Sequence, residues 1–320
     1  PMSDTLFEDY PINLTAVDIS PYKAGNTGVD YITTFDSGEP GLHVMISAIL
    51  HGNEISGAIT LDHLLKKDVR PLAGKLSFAF ANPEAYLAFD PNNPWASRYI
   101  DEDMNRVWSE DVLGSERTSL ELERARQMRP IIDQVDMLLD LHSMEHPIPA
   151  MMMAGGHAKG QQLSKDIATP KFVILDRGHS TGKRLRDYGE FDDPMSGRIA
   201  LLFEAGQHWE EDSEIISIDM ALRFLKLFGT IDMDTLMDDH LELSEDQNLI
   251  EITHPITIAT DDFRWADDFT GLECFQDAGS LIGWDGDKEI CTPYDDCILI
   301  MPNSNLHKGG TAVRLGKQIN

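Results

Sequence analysis

Cysteine is scarce in this chain: Cys274, Cys291 and Cys297 are the three in 320 residues. An odd number at so low a density excludes a disulfide-built scaffold and reads as buried thiols of a reducing compartment. Basic residues are also few, 26 Lys plus Arg against 55 Asp plus Glu, for a net charge of −29. So acidic a chain repels phosphate backbones and anionic headgroups, which removes nucleic acid and membrane surfaces from the expected partners. No apolar run approaches the ~20 residues of a membrane span. The opening PMSDTLFEDYP has neither the basic nor the apolar region of a secretory leader. The expectation is a soluble, cytoplasmic protein. What the chain does have is 42% hydrophobic residues, too many for a disordered polymer. At this length roughly three quarters of the unfolded surface can be buried, in about two domains.

Short apolar runs alternate with longer amphipathic ones from residue 41 onward. GLHVMISAIL (41–50), KLSFAFA (75–81), QVDMLLDL (134–141), KFVIL (171–175) and RIALLF (198–203) read as strands. ISGAITLDHLLKK (55–67), SERTSLELERARQMRPIID (115–133) and EIISIDMALRFLKLFG (214–229) read as helices. That alternation predicts an α/β fold with a mainly parallel central sheet flanked by helices. After about residue 245 the text turns β-rich and is broken by Gly, Pro and paired Asp. The predicted division is therefore a catalytic domain over 1–240 and a small all-β domain over 241–320. The acidic stretch 232–247 is expected to be an exposed connector between them.

Open α/β sheets collect ligands at the carboxyl ends of their strands. The first predicted strand runs into His51-Gly52-Asn53-Glu54, the third into Asp140-Leu141-His142, and the last into Glu204. Three strands thus deliver two imidazoles and two carboxylates to one edge. Two His and one carboxylate make a three-ligand set typical of catalytic zinc, with a fourth position left for water. Asp140 is a candidate to hold the His142 ring from behind. A histidine at a strand end is, taken singly, more often a satisfied polar group. Glu204 could equally cap a turn, and Arg98 and Arg106 could be surface residues paired with Asp101 and Asp103.

The ordered set HGNE (51–54), SRYIDEDMNR (97–106), LLDLHS (138–143) and FEAG (203–206) resembles the succinylglutamate desuccinylase/aspartoacylase family, within the wider zinc carboxypeptidase group. The resemblance implies a zinc carboxypeptidase-like fold and one zinc ion per chain, held by His51, Glu54 and His142. It implies Glu204 as general base, Arg98 as the group that stabilises the oxyanion, and Asn105 with Arg106 as the binders of a substrate carboxylate. The implied reaction is hydrolysis of the amide of a small N-acyl amino acid, that acid being the expected partner. Assembly into a homo-oligomer stays open.

The chain departs from the family pattern in two places. A further carboxylate-binding Arg upstream of the catalytic Glu is replaced by Pro194, with Arg198 the nearest basic residue, and Tyr294 does not align with the family's C-terminal tyrosine. A cluster of Arg177, Lys183, Arg184 and Arg186 is expected either to contact anions from a loop or to be solvated. The segment 278–317 is similar to barrel-sandwich modules but lacks their carrier lysine, which suggests a domain for entrance or assembly. Three other readings are weighed. One is a deacetylase of an N-acetyl diamino acid in compatible-solute breakdown, another a metallocarboxypeptidase, and the third a non-catalytic small-molecule-binding protein on the same fold.

Overall fold

The computed structural model describes residues 10–179, 181–231, 243 and 246–320. The first nine residues and most of the acidic 232–247 stretch, expected to be a connector, lie outside the described residues. In chain order the elements are β1 (Ile32–Asp36), β2 (His43–Ala48), α1 (Ile55–Lys66), β3 (Lys75–Phe80), α2 (Pro83–Leu87), α3 (Glu110–Leu113), α4 (Leu120–Ile132), β4 (Met137–Met144), β5 (Met151–Met153), α5 (Ala158–Ile167), β6 (Phe172–Leu175), β7 (Ile199–Gln207) and α6 (Glu211–Leu227). The β-rich remainder holds β8 (Asn248–Thr257), β9 (Phe263–Trp265), β10 (Cys274–Phe275), β11 (Leu281–Asp285), β12 (Lys288–Cys291), β13 (Cys297–Ile300) and β14 (Thr311–Gln318).

The expected strands and helices form within a few residues of their predicted bounds, because each is a continuous apolar run or a helical stripe with a clear stop. β2, β4 and β7 are buried along almost their whole length, as strands covered on both faces must be. Alternate side chains of β2 enter two cores: Val44, Ile46 and Ala48 pack on one face and Met45 on the other. α1 and α6 cover the first face, tied by a 2.8 Å hydrogen bond from Thr60 Oγ1 to Ser217 Oγ. α4 covers the second, its first turn capped by Ser119 Oγ accepting from Leu122 N at 3.0 Å.

The main sheet has eleven strands in the order β1-β3-β2-β4-β7-β5-β6-β8-β14-β13-β10. β3, β2, β4 and β7 run parallel, as do β5, β6 and β8. β5 meets β7 antiparallel, and β14, β13 and β10 continue antiparallel from β8. The C-terminal strands therefore extend the same hydrogen-bonded sheet through β8, while β9, β11 and β12 make a separate three-stranded antiparallel sheet. The α/β class with a β-rich C-terminal region is as the sequence predicts. Among the described residues no helix is long and apolar enough to cross a membrane.

The segment 97–106 has no regular strand or long helix of its own and depends on α4 for its position. Glu121, fully buried on α4, accepts from the backbone N–H groups of Ile100, Asp101 and Glu102 at 2.7, 3.0 and 3.2 Å and from Asn82 Nδ2 at 3.2 Å. Asp101 contributes from the other side by accepting from Leu120 N at 2.7 Å. Glu121→Ala removes four charge-assisted bonds at once and is expected to cost about 3 kcal/mol in urea unfolding. A loss below about 1 kcal/mol would mean that the segment is held by something else.

Candidate active site

The turn after β2 is sharp. Ile49 adopts φ +57, a conformation that is strained for a β-branched residue. It is over-determined by its surroundings: the carbonyls of Ala48 and Ile49 accept from Ala81 and Asn82 N–H at 2.9 and 3.1 Å. Gly52 then threads between two backbones. Its N–H donates to the Arg98 carbonyl at 3.0 Å, and a Cβ there would sit 2.3 Å from the Ala85 carbonyl carbon and 2.5 Å from the Ser97 oxygen. The glycine is what lets His51 and Glu54 face inward together on either side of so close an approach.

Glu54 lies between the two imidazoles. Its Oε1 is 2.7 Å from His51 Nδ1 and its Oε2 is 2.9 Å from His142 Nδ1, and Oε2 also accepts from Ser143 N at 3.1 Å. The three residues are buried and each offers a ligand atom within 4.8 Å of the others. Each imidazole is gripped on its far side by a second carboxylate. His51 Nε2 is 2.8 Å from Asp103 Oδ1, and His142 Nε2 is 2.8 Å from Asp140 Oδ2. Asp140 reaches the ring because residues two apart on a strand share a face. Burial alone would raise the Glu54 carboxyl, but the two imidazoles outweigh it and hold it well below the usual range.

Glu204 sits beside His142 in the β4–β7 register. It is buried, and its Oε2 has no partner among the described residues. Burial, with Glu54 adding to it, pushes its carboxyl up to about 8, against the pull of His142, Arg98 and Arg314. The site thus carries inward-facing imidazole nitrogens held from behind by carboxylates and an orphaned carboxylate oxygen. A divalent cation fits both features: it takes nitrogen and oxygen donors of this kind, and its charge would ionise Glu204.

The 97–106 segment closes the site. Arg98 reaches Glu54 at 3.5 Å and Asp103 at 3.3 Å, so its pairing with Asp103 and its place beside the candidate metal ligands hold together. Asn105 Oδ1 accepts from Leu185 N at 2.9 Å, which fastens the 176–187 loop. Arg106 donates to Thr181 Oγ1 at 3.0 Å and to its neighbour's carbonyl at 2.8 Å. Among the described residues it has no carboxylate within ion-pair distance. Asp101 pairs with neither arginine.

The cationic cluster of the 176–187 loop divides: Arg177 and Lys183 are exposed, while Arg184 and Arg186 are buried in ion pairs. Arg184 bonds Asp176 and Asp187, and Arg186 bonds Asp187 at 2.6 Å. Lys183 pairs with Asp192 at 3.5 Å and Arg177 is exposed. Buried guanidiniums need buried carboxylates, and the signal was the acidic residues interleaved with the basic ones. Tyr294 bonds Thr253 Oγ1 at 2.7 Å within the C-terminal region.

Sequence reasoning missed Asp103 as a support for His51, although it lies inside the quoted motif. It also missed Asp176, which a strand-end search would have found after β6, and His208, whose Nδ1 meets Ser143 Oγ at 2.7 Å. Burial pushes His208 down to about 3, so that ring is neutral.

Strand-end His, Glu and His beside an unpaired buried carboxylate define a candidate metallohydrolase. The match to known proteins is more specific: residues 40–220 fit the succinylglutamate desuccinylase/aspartoacylase catalytic domain. The chain belongs to that family. It is 31% identical over 214 residues to a succinylglutamate desuccinylase of Pseudomonas aeruginosa, covering 64% of this chain and 54% of that one. It therefore spans about half the length of the curated relatives it matches. Its fold is similar to the crystal structure of a Vibrio cholerae succinylglutamate desuccinylase, with TM-score 0.69 and 19% identity, covering 91% of this chain and 86% of that one. A similar likeness, TM-score 0.59 at 14% identity, relates it to a product-bound ectoine utilization protein of Ruegeria pomeroyi, with 91% and 92% covered.

Two outcomes are expected. Gly52→Ala forces backbone against backbone and should destabilise the fold by about 1–3 kcal/mol in urea unfolding. Wild-type stability in that variant would show that the turn can relax. Burial would raise the Asp176 carboxyl, yet Arg184 and Arg314 outweigh it and hold it well below the usual range. Its stabilisation is then complete above the unfolded value of about 4 and is lost as the pH falls further. Melting temperatures of wild type and Asp176→Asn should differ most near neutrality and converge below about pH 4. A gap that stays constant into acid would refute this assignment.

Proposed function

We propose that this chain is a zinc-dependent deacylase that cleaves the amide bond of a small N-acylated amino acid, releasing a carboxylate and a free amine. The observation that carries the reading is the orphaned Glu204 carboxylate, set beside His142 at the edge where His51, Glu54 and His142 converge. A binding protein has no use for an acceptor kept free in a dry site, since an unpartnered buried carboxylate is costly. A hydrolase needs such a group to take a proton.

On this reading His51, Glu54 and His142 hold the ion, which when bound supplies Lewis acidity and a water of pKa about 7. Glu204 takes a proton from the attacking water and returns one to the leaving nitrogen. Arg98, held toward the site by Asp103, balances negative charge as it develops on the former carbonyl oxygen. Arg106, without a carboxylate partner among the described residues, receives the carboxylate of the amino acid, and Asn105 keeps the loop over it in place. Asp103 and Asp140 fix the ring orientation of His51 and His142. Family membership supports the chemistry, for the relatives' names describe succinylglutamate desuccinylases, aspartoacylases and an N-acyl-aromatic-amino-acid amidohydrolase.

Glu204→Gln is nearly isosteric and removes only the basic oxygen. It should retain one zinc per chain by elemental analysis and lose about 10³-fold or more in kcat on whichever acetyl-, succinyl- or formyl-amino acid the wild type cleaves. Turnover equal to wild type would remove Glu204 from the mechanism. Loss of zinc together with activity would make it a structural support instead.

A further inference from the structure

The strand that delivers Glu204 does not end with it. β7 carries a bulge directly after that residue: His142 is opposite Glu204 but Met144 is opposite Gln207, so Ala205 and Gly206 together face Ser143 alone. Gly206 takes φ +104, a conformation that glycine reaches without a Cβ penalty. The three residues that follow bond back to the ends of both ligand-bearing elements. Gln207 Nε2 donates to the Glu145 carbonyl at 3.2 Å, and the His208 N–H donates to the Met144 carbonyl at 2.9 Å. Trp209 Nε1 donates at 3.1 Å to the carbonyl of Asn53, the residue immediately before Glu54.

His208 makes the shortest of these contacts. Its Nδ1 is 2.7 Å from Ser143 Oγ, and the Ser143 N–H donates to Glu54 Oε2 at 3.1 Å. That is the Glu54 oxygen 2.9 Å from His142 Nδ1. A chain of bonds thus runs from His208 through one residue to the carboxylate between the imidazoles. A carboxylate turns easily about its last bond, because such torsions have broad wells. Apart from the imidazoles, the groups that restrain Glu54 are the Ser143 N–H and, farther off at 3.5 Å, Arg98. The direction of that N–H follows the Ser143 backbone, which the bond from Oγ to His208 holds. His208 and Ser143 are both buried. The His208 ring meets Trp95 at 5.6 Å and Trp209 at 5.5 Å between centroids, contacts that restrict its orientation. Among the described residues, His208 lies outside the group of convergent ligand atoms, so it acts on that group through Ser143.

Resting on the metal site of the deacylase reading above, we propose that His208 is a positioning residue of that site. Through Ser143 it sets the rotation of the Glu54 carboxylate between His51 and His142, so that the three donors are arranged before the cation arrives. The bulge after Glu204 is what brings His208 to Ser143, so one strand end supplies both the candidate base and the support for a ligand.

The test measures zinc affinity of the full-length, metal-stripped protein by competition with a chromogenic chelator, with urea unfolding of the same metal-free samples beside it. His208→Phe keeps a buried ring and removes the nitrogen, and it should weaken zinc by about tenfold. Ser143→Ala should weaken it by a similar factor, and the double variant by no more than the stronger single, since both break one chain of bonds. His208→Asn, which returns a polar atom near the place of Nδ1, should restore most of the affinity. Zinc affinity within about twofold of wild type in His208→Phe, even with lower urea stability, would make the residue a structural support and overturn the proposal. Full additivity in the double variant would overturn it too. If His208→Phe fails to fold, Ser143→Ala decides: about tenfold weaker zinc supports the proposal and unchanged affinity overturns it. The readout is metal uptake, so absence of turnover on every N-acyl amino acid would remove the deacylase reading alone. A wild type that takes up no zinc would overturn both.

Discussion

One buried carboxylate organises this molecule's candidate site. Glu54 is taken out of water, where an ionised acid is expensive, and is kept charged because two imidazoles, a backbone N–H and Arg98 converge on its oxygens. That convergence requires the turn after β2 and the end of β4 to stand side by side. The parallel pairing of β2 with β4 provides this, with Ala48 opposite Leu141. The pairing also explains the packing of α1, since Gly57 brings that helix against Ala48 and Leu141. The sheet core and the site are therefore one construction, in which a change of strand register would separate the ligands as surely as a substitution.

Around that centre the chain builds in layers of decreasing directness. Asp103 and Asp140 orient the imidazoles; Glu121 orients the segment that carries Asp103, Arg98 and Arg106; Asn105 ties that segment to the next loop. Each layer is a carboxylate or amide meeting backbone N–H groups or rings with defined geometry. Such contacts fix position more tightly than apolar packing, which tolerates sliding. A loop with little secondary structure can in this way be as well placed as a strand.

The charge distribution has a second consequence. A surface of high negative charge repels small anions at long range, so an anionic ligand is drawn in only where cations outnumber acids locally. Salt screens the distant repulsion over about 8–10 Å but leaves a buried cluster much less affected. The Asp176–Arg184–Arg314 group neutralises guanidinium charge so that the loop can be buried.

Much was legible in the sequence. Apolar runs with abrupt polar ends gave the strands of the parallel core, and because side chains at strand ends project to one edge, His51, Glu54, His142 and Glu204 could be gathered from a linear text. Arg98, Asn105 and Arg106 were legible through the motif around them, and Arg98 lies 3.5 Å from Glu54. What the text could not give was any partnership between distant residues on independent elements. Glu121 lies in a helix that reads as an ordinary charged surface, Arg314 in a strand with no polar pattern, and Arg184 and Arg186 in a run whose cations looked ready for solvent. Local sequence sets backbone conformation and burial tendency, and so it determined the α/β architecture and the inward-facing acids and imidazoles. Which carboxylate neutralises which guanidinium depends on strand order and on how β14 reaches the main sheet through β8, so only the tertiary structure decided the charge pattern over the site.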